Sequence, residues 1–313
     1  MGGAIVTVGN VAFTFHGNNV FFNNNSASDG SVPFAGSNTL LSFNTLSFSG
    51  TNEFSHNSAQ YGGAIYTEYN VVLTFNGTDN FINNSAESGG AIDTLGNAVF
   101  TFNGTNYFVN NSANNGGAIY AEINISLSFI GTNNFTHNLV GIKGGAVFTS
   151  DNSVLIFIGT DNFINNSAES GGAIDTLDNG VLIFNGTNNF INNSANNGSA
   201  IYAVTNISLS FIGTNNFTHN SVGIQGGAVF TSDNGSLTFN GTNNFINNSA
   251  NKSGAIYAAT YISQSSLVLI ILLITQKLLM VVLFSQLVMV FFPLMESTSL
   301  STTQQMMVAQ SVQ

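Results

Sequence analysis

The sequence predicts an all-β chain folded as a parallel β-helix, with three short strands in each coil of about 27 residues and an apolar C-terminal tail. Three observations carry this prediction. A motif of the type Phe-Ile-Asn-Asn recurs, and its leading residues are Phe54, Phe81, Phe108, Phe135, Phe163, Phe190, Phe217 and Phe245, spaced by 27 or 28. A Gly-Gly-Ala motif keeps the same phase, starting at Gly62, Gly89, Gly116, Gly144, Gly171 and Gly226, with variants at Gly198 and Ser253. No stretch before residue 264 shows a helical period. A unit this short cannot bury its own apolar face, so units must stack on one another.

Within each unit the strands follow from composition. Gly116 to Tyr120 reads as the first, Val181-Leu182-Ile183-Phe184 as an example of the second, and Asn189-Phe190-Ile191-Asn192 as an example of the third. Between them lie turn formers such as Asn185-Gly186-Thr187 and Ala195-Asn196-Asn197-Gly198. About nine coils over residues 1–263, roughly 4.8 Å apart, make a rod on the order of 43 Å long. Phe22 lies 32 residues before Phe54, so the first unit carries an insertion. Residues 81–162 and 163–244 match almost residue for residue, which marks duplication of a three-unit block.

Stacking assigns the invariant residues. Each type meets its own copy in the next coil, so Phe is expected to form an internal aromatic column and Asn a ladder of amides. The Gly pair is expected at a corner or bulge where a side chain would clash. Sequons occur at Asn103, Asn185, Asn206 and Asn240; turn sequons such as Asn103 and Asn185 are expected to face solvent, whereas the Asn-Asn-Ser motif at Asn192 is expected to face inward.

Composition excludes several functions. Only 5% of residues are charged, Arg is absent, and Lys143, Lys252 and Lys277 are the only cations in a chain of net charge −11. Nucleic acid is therefore excluded as a partner, because neutralising phosphates takes clustered cations. Without cysteine there is no disulfide or thiolate metal site. The chain opens inside a repeat motif, Met1-Gly2-Gly3-Ala4-Ile5, and is expected to be cut from a longer one.

Candidate chemistry is sparse, and no catalytic, cofactor or metal residue is assigned. A polysaccharide lyase needs a cation to stabilise developing charge. A hydrolase needs two carboxylates about 5–10 Å apart. The best pairs, Asp79 with Asp93 and Asp161 with Asp175, lie half a coil apart and are copied with the 82-residue block, whereas a catalytic site is singular. His137 and His219 are three coils apart, about 14 Å, too far for one metal ion. The turns at Asp151 and Asp233 do not match the nonapeptide Ca²⁺ repeat. Thr51, Thr78, Thr105, Thr132, Thr160, Thr187, Thr214 and Thr242 form a candidate ladder for a repetitive ligand such as ice or polysaccharide, although Thr after Gly is also ordinary turn chemistry.

The paired motifs resemble the repeat of the chlamydial polymorphic outer membrane proteins. Phe81-Ile82-Asn83-Asn84 with Gly89-Gly90-Ala91-Ile92 carries the likeness, as does Phe163-Ile164-Asn165-Asn166 with Gly171-Gly172-Ala173-Ile174, and it extends over about residues 1–262. What the resemblance implies is a right-handed β-helix of the pectin-lyase-like kind, an autotransporter passenger that acts in adhesion at the cell surface or outside the cell. That it is not an enzyme is the expectation from the residues, which offer no singular site. The implied partner is a ligand on host cells or in extracellular matrix. The family's N-terminal signal and β-barrel translocator have no counterpart among these motifs, and the expectation is a passenger fragment.

The tail, residues 264–313, is long and apolar enough to span a bilayer as a helix, and contact with membrane rests on that tail alone. The expectation is instead that it is repeat translated in a shifted frame and does not pack on the solenoid. Because Met is always ATG, the junctions Met280-Val281, Met289-Val290, Met295-Glu296 and Met307-Val308 all encode Gly in the alternate frame. Their spacings of 9, 6 and 12 reproduce those of Gly226, Gly235, Gly241 and Ser253. Sequencing the gene checks this: the alternate frame should read through residues 267–313 with Phe-Ile-Asn-Asn and Gly-Gly-Ala-Ile, and stop codons there would return the tail to a membrane anchor.

Overall fold

The computed structural model describes residues 44–251 continuously, with segments 5–7, 12–15, 20–26 and 33–35 before them and 254–258, 263–266, 268–274, 277–284 and 287–291 after. Each coil gives one strand to each of three long sheets. In one coil, Ile119–Glu122 joins the first sheet, Ser126–Phe129 the second and Thr132–Thr136 the third. The first and second sheets hold ten strands each and the third twelve. Pairing is parallel from coil to coil over the whole repeat, and register advances by one repeat, so Phe108 meets Phe135 and Phe135 meets Phe163. The 27-residue phase is therefore a parallel β-solenoid.

Alternation decides which side chains fill it. On the second sheet Leu127 and Phe129 are buried and Ser126 and Ser128 are not; on the third, Asn133 and Phe135 are buried. The expected Phe column is present, with rings from Phe54 to Phe245 stacked at 4.6–4.8 Å between centroids. A second column, from Phe48 through Phe75, Phe102, Phe129, Phe157, Phe184 and Phe211 to Phe239, runs beside it at 4.7–5.2 Å. The two meet edge to face, as at Phe184–Phe190 with 5.4 Å and 83°. Both preferred aromatic geometries are thus used, stacking along the rod and edge contact across it.

The corners explain the remaining motif. The Asn that closes each Phe-x-x-Asn motif from Asn57 to Asn220 is buried and bonds to neighbouring coils. Asn138 donates through Nδ2 to the Phe108 carbonyl at 2.9 Å and to Asn166 Oδ1 at 3.0 Å, while its own Oδ1 accepts from Asn111 N at 3.0 Å. In the Gly pair, Gly116 has φ +61°, and a Cβ on Gly117 would lie 2.2 Å from the Gly145 carbonyl oxygen of the next coil.

Three expectations are corrected. The segment read as a turn, Ala195 to Gly198, is in part a strand: Ser194–Asn197 pairs with Ser221–Gln225, and Ser112–Asn115 with Leu139–Lys143. Ser and Asn there complete backbone pairing that a free turn would leave to water. Second, Asn192 faces solvent and Asn193 is buried. Asn192 takes φ 55°, a left-handed kink that turns the following side chain inward. Its sequon is therefore as exposed as that of Asn185.

Third, the tail is neither helical nor detached from the solenoid over its described residues. Val268–Ile274 pairs in parallel with the last repeat strand of the third sheet, Asn243 opposite Ile270, and Lys277–Phe284 and Leu287–Phe291 then add antiparallel strands. An open sheet edge offers unpaired N–H and C=O groups, and a run rich in Leu, Ile and Val is well suited to pair with it. No helix among the described residues is long and apolar enough to cross a membrane. Met295 to Gln313 lies outside them.

Candidate binding face

On the first sheet Ile119 and Ala121 enter the core, which sends Tyr120 and Glu122 to the opposite face. One position on that face becomes a row along the rod: Tyr66, Asp93, Tyr120, Phe148, Asp175, Tyr202, Phe230 and Tyr257, each in register with the next. Rings stack wherever neighbours are aromatic, at 5.0 Å for Tyr120–Phe148, 4.8 Å for Tyr202–Phe230 and 5.3 Å for Phe230–Tyr257. The row is recessed. Residues of the arc before the Gly pair lean over it, where Ser88 and Ser170 donate their hydroxyls to Asp93 and Asp175.

A cleft of about 170 Å³ opens on this face beside Asn115, Tyr120, Glu122, Lys143, Phe148 and Asp151. Tyr120 Oη donates to Glu122 at 2.8 Å, and Lys143 Nζ lies 5.3 Å from the Phe148 ring centroid. Burial raises the Tyr120 pKa, and the adjacent Glu122 raises it further, so the phenol stays a donor at any physiological pH. The cleft joins an aromatic wall to donors and acceptors at the rim, which suits a ligand with one apolar face and polar edges. The duplicated coil keeps Tyr202 and Phe230 but places Val204 and Gln225 where Glu122 and Lys143 stand, so the charged version occurs once in the two blocks.

The four Asp residues weighed as catalytic pairs occupy different sheets. Asp79 and Asp161 are on the third, Asp93 and Asp175 on the first. All four are buried. Burial pushes Asp93 up to about 8, against the lowering hydrogen bond from Ser88 and with a raising contribution from the Glu122 charge. Burial likewise pushes Asp175 up to about 7, against Ser170 and the Lys143 charge. His56, His137 and His219 stand exposed at the left-handed corner, each beside an Asn amide of the next coil at 3.1–3.3 Å. The turn at Asp151 lies on the cleft rim, and the corresponding Asp233 is exposed. No group of three or more His, Cys, Asp or Glu that could hold a metal ion exists among the described residues. The aromatic row was missed in the sequence because Asp interrupts it and its members belong to different motif variants; their shared place after Gly-Gly-Ala-Ile/Val is the signal that marks it.

Fold and face together define a repeat-built β-solenoid that carries a lateral aromatic groove. Residues 53–68 and 107–122 match the model of the Chlamydia polymorphic membrane protein repeat. Each match runs from a third-sheet Phe through the buried corner Asn and the Gly pair to a Tyr of the groove, and leaves out the second-sheet strand of the coil. No curated protein and no solved structure matches the chain.

Proposed function

We propose that the rod is a non-enzymatic, surface-exposed binding scaffold of the adhesin or autotransporter-passenger type, displayed at the cell surface and holding ligands of host cells or extracellular matrix along its faces. The observation that carries this reading is the in-register repetition of solvent-facing side chains, which multiplies weak contacts into avidity. The four Asp residues weighed as catalytic pairs, Asp79, Asp93, Asp161 and Asp175, support the same reading, because they are buried in two separate sheets. A saccharide bearing an apolar ring face and hydroxyl edges fits the Tyr120–Phe148 cleft.

Binding of the purified chain to cultured cells and to a panel of matrix glycans tests the proposal. Saturable binding is expected, and Tyr120→Ala should weaken it about tenfold for a ligand seated in the cleft, on a stacking contribution of about 1–1.5 kcal/mol. Turnover of any polysaccharide, or binding to none of the surfaces, would overturn it.

A second reading, repetitive-array binding, is favoured by the outer face of the third sheet. Thr132, Thr160, Thr187, Thr214 and Thr242 are in register there. Asn134, Asn162, Asn189, Asn216 and Asn244 beside them are locked into a ladder by amide hydrogen bonds of 2.8–2.9 Å. Inhibition of ice recrystallisation is the assay for it.

A further inference from the structure

A second Asn ladder is sealed inside the third sheet, one residue after the Thr row. Its members are Asn52, Asp79, Asn106, Asn133, Asp161, Asn188, Asn215 and Asn243, and all are buried. Amide donors run in one direction along it. Asn52 donates to Asp79 Oδ1 at 2.6 Å, Asn106 to Asn133 at 2.8 Å and Asn133 to Asp161 Oδ1 at 2.7 Å. Beyond that, Asn188 donates to Asn215 at 2.9 Å and Asn215 to Asn243 at 3.0 Å. The ladder breaks at two rungs only, Asp79–Asn106 and Asp161–Asn188, which are the rungs where Asp would have to donate.

At both breaks the atoms on the two sides are acceptors without a partner, Asp79 Oδ2 with Asn106 Oδ1 and Asp161 Oδ2 with Asn188 Oδ1. A carboxylate cannot close such a rung, because it only accepts. Turning the amides over moves the gap without closing it. Three rungs separate Asp79 from Asp161 and need three donors, while Asn106 and Asn133 supply one each along the ladder.

We infer that Asp79 and Asp161 are proton-binding sites of the folded rod: each is a neutral carboxylic acid whose Oδ2–H donates to the Asn of the next coil, taking the place of an amide N–H. Acidic surroundings therefore tighten the rod. No charged group opposes this. On the strands beside Asp79 the ladder positions are Asn52 and Asn106, and Glu53 and Tyr107 take the solvent side. The strands beside Asp161, Thr132–Thr136 and Thr187–Ile191, carry no titratable residue. Burial pushes both acids up to about 7, against the lowering hydrogen bonds from Asn52 and the Gly77 backbone at Asp79 and from Asn133 at Asp161.

The sign follows from linkage. The folded-state pKa lies above the ordinary carboxyl value, so the stabilisation is complete below about pH 4 and is lost as the pH rises to about 7. From pH 5 to pH 8 each Asp should raise the unfolding equilibrium constant about a hundredfold. Asp93 and Asp175 on the first sheet act in the same direction, beside Ser88 and Glu122 and beside Ser170 and Lys143.

The test is urea unfolding of the full chain at pH 5 and pH 8, for the wild type, Asp79→Asn, Asp161→Asn and the double variant. Asn is the residue of the neighbouring rungs, so these variants keep the ladder. The wild type should be the more stable at pH 5. Each Asn variant should be more stable than wild type at pH 8 and should remove about a hundredfold of the pH effect. An unchanged pH effect in either single variant would overturn the assignment for that residue. Infrared spectra of the native chain at pH 6 give an independent readout: the C=O stretch of protonated carboxyl groups should be present and should weaken in the double variant. A wild-type spectrum identical to that of the double variant in this region would overturn the inference without reference to stability.

Discussion

Replacing Phe190 by Asp is expected to destabilise the rod by more than about 5 kcal/mol, enough to unfold the coils around it at room temperature. The ring is fully buried, stacked at 4.8 Å on Phe163 and 4.7 Å on Phe217, and met edge-on by Phe184 at 5.4 Å. Removing a buried Phe costs about 3–5 kcal/mol in lost transfer energy and cavity. The new carboxyl adds the desolvation of a polar group with no designed partner. Because coils contact only their neighbours, the damage should split the unfolding transition rather than lower it uniformly. Thr187→Asp on the outer face of the same strand is the control and should change stability by no more than about 0.5 kcal/mol. Equal loss in both variants, measured by urea unfolding with circular dichroism, would contradict the interior placement of the Phe column.

Asn193→Ala should cost about 3–5 kcal/mol, although it removes only a small polar side chain. Asn193 donates to the Phe163 carbonyl at 2.9 Å and to Asn220 Oδ1 at 3.0 Å, and its Oδ1 accepts from both Asn166 N and Asn166 Nδ2 at 3.0 Å. Alanine takes these partners from a buried backbone N–H, that of Asn166, and a buried carbonyl, that of Phe163, both on the preceding coil. Each such loss costs about 1–3 kcal/mol, because water cannot reach the corner to replace the bond. Asn192→Ala, one residue earlier and exposed, should cost far less and serves as the comparison in thermal melts. A smaller loss for Asn193→Ala than for Asn192→Ala would mean that the corner is open to solvent.

The adjacent pair Asn192 and Asn193 shows where reading the sequence stops. Identical residues in one motif take opposite faces, and period-2 alternation cannot say which, because the left-handed φ at Asn192 resets the phase at the corner. The same reset decides that Asn84, Asn111 and their copies are structural, while His56, His137 and His219 share the exposed place.

The sequence by itself determined the coil length, the stacking of Phe on Phe and Asn on Asn, and the need for Gly at the corner, because each follows from a period that places every residue beside its own copy. It could not reveal the second Phe column as a partner of the first, since that contact crosses from one sheet to another within the coil. Nor could it show that Asp79 and Asp161 are sealed inside an amide ladder while Asp93 and Asp175 line an outer groove, since all four follow the same repeat. The tail's place was hidden as well: its apolar run suits a helix in lipid, and only the open edge of the third sheet gave its backbone partners. Tertiary structure decided these points for one physical reason. Period tells a residue which copies it will meet along the rod, whereas burial and hydrogen bonding across the rod depend on how three sheets and their corners close around a common interior.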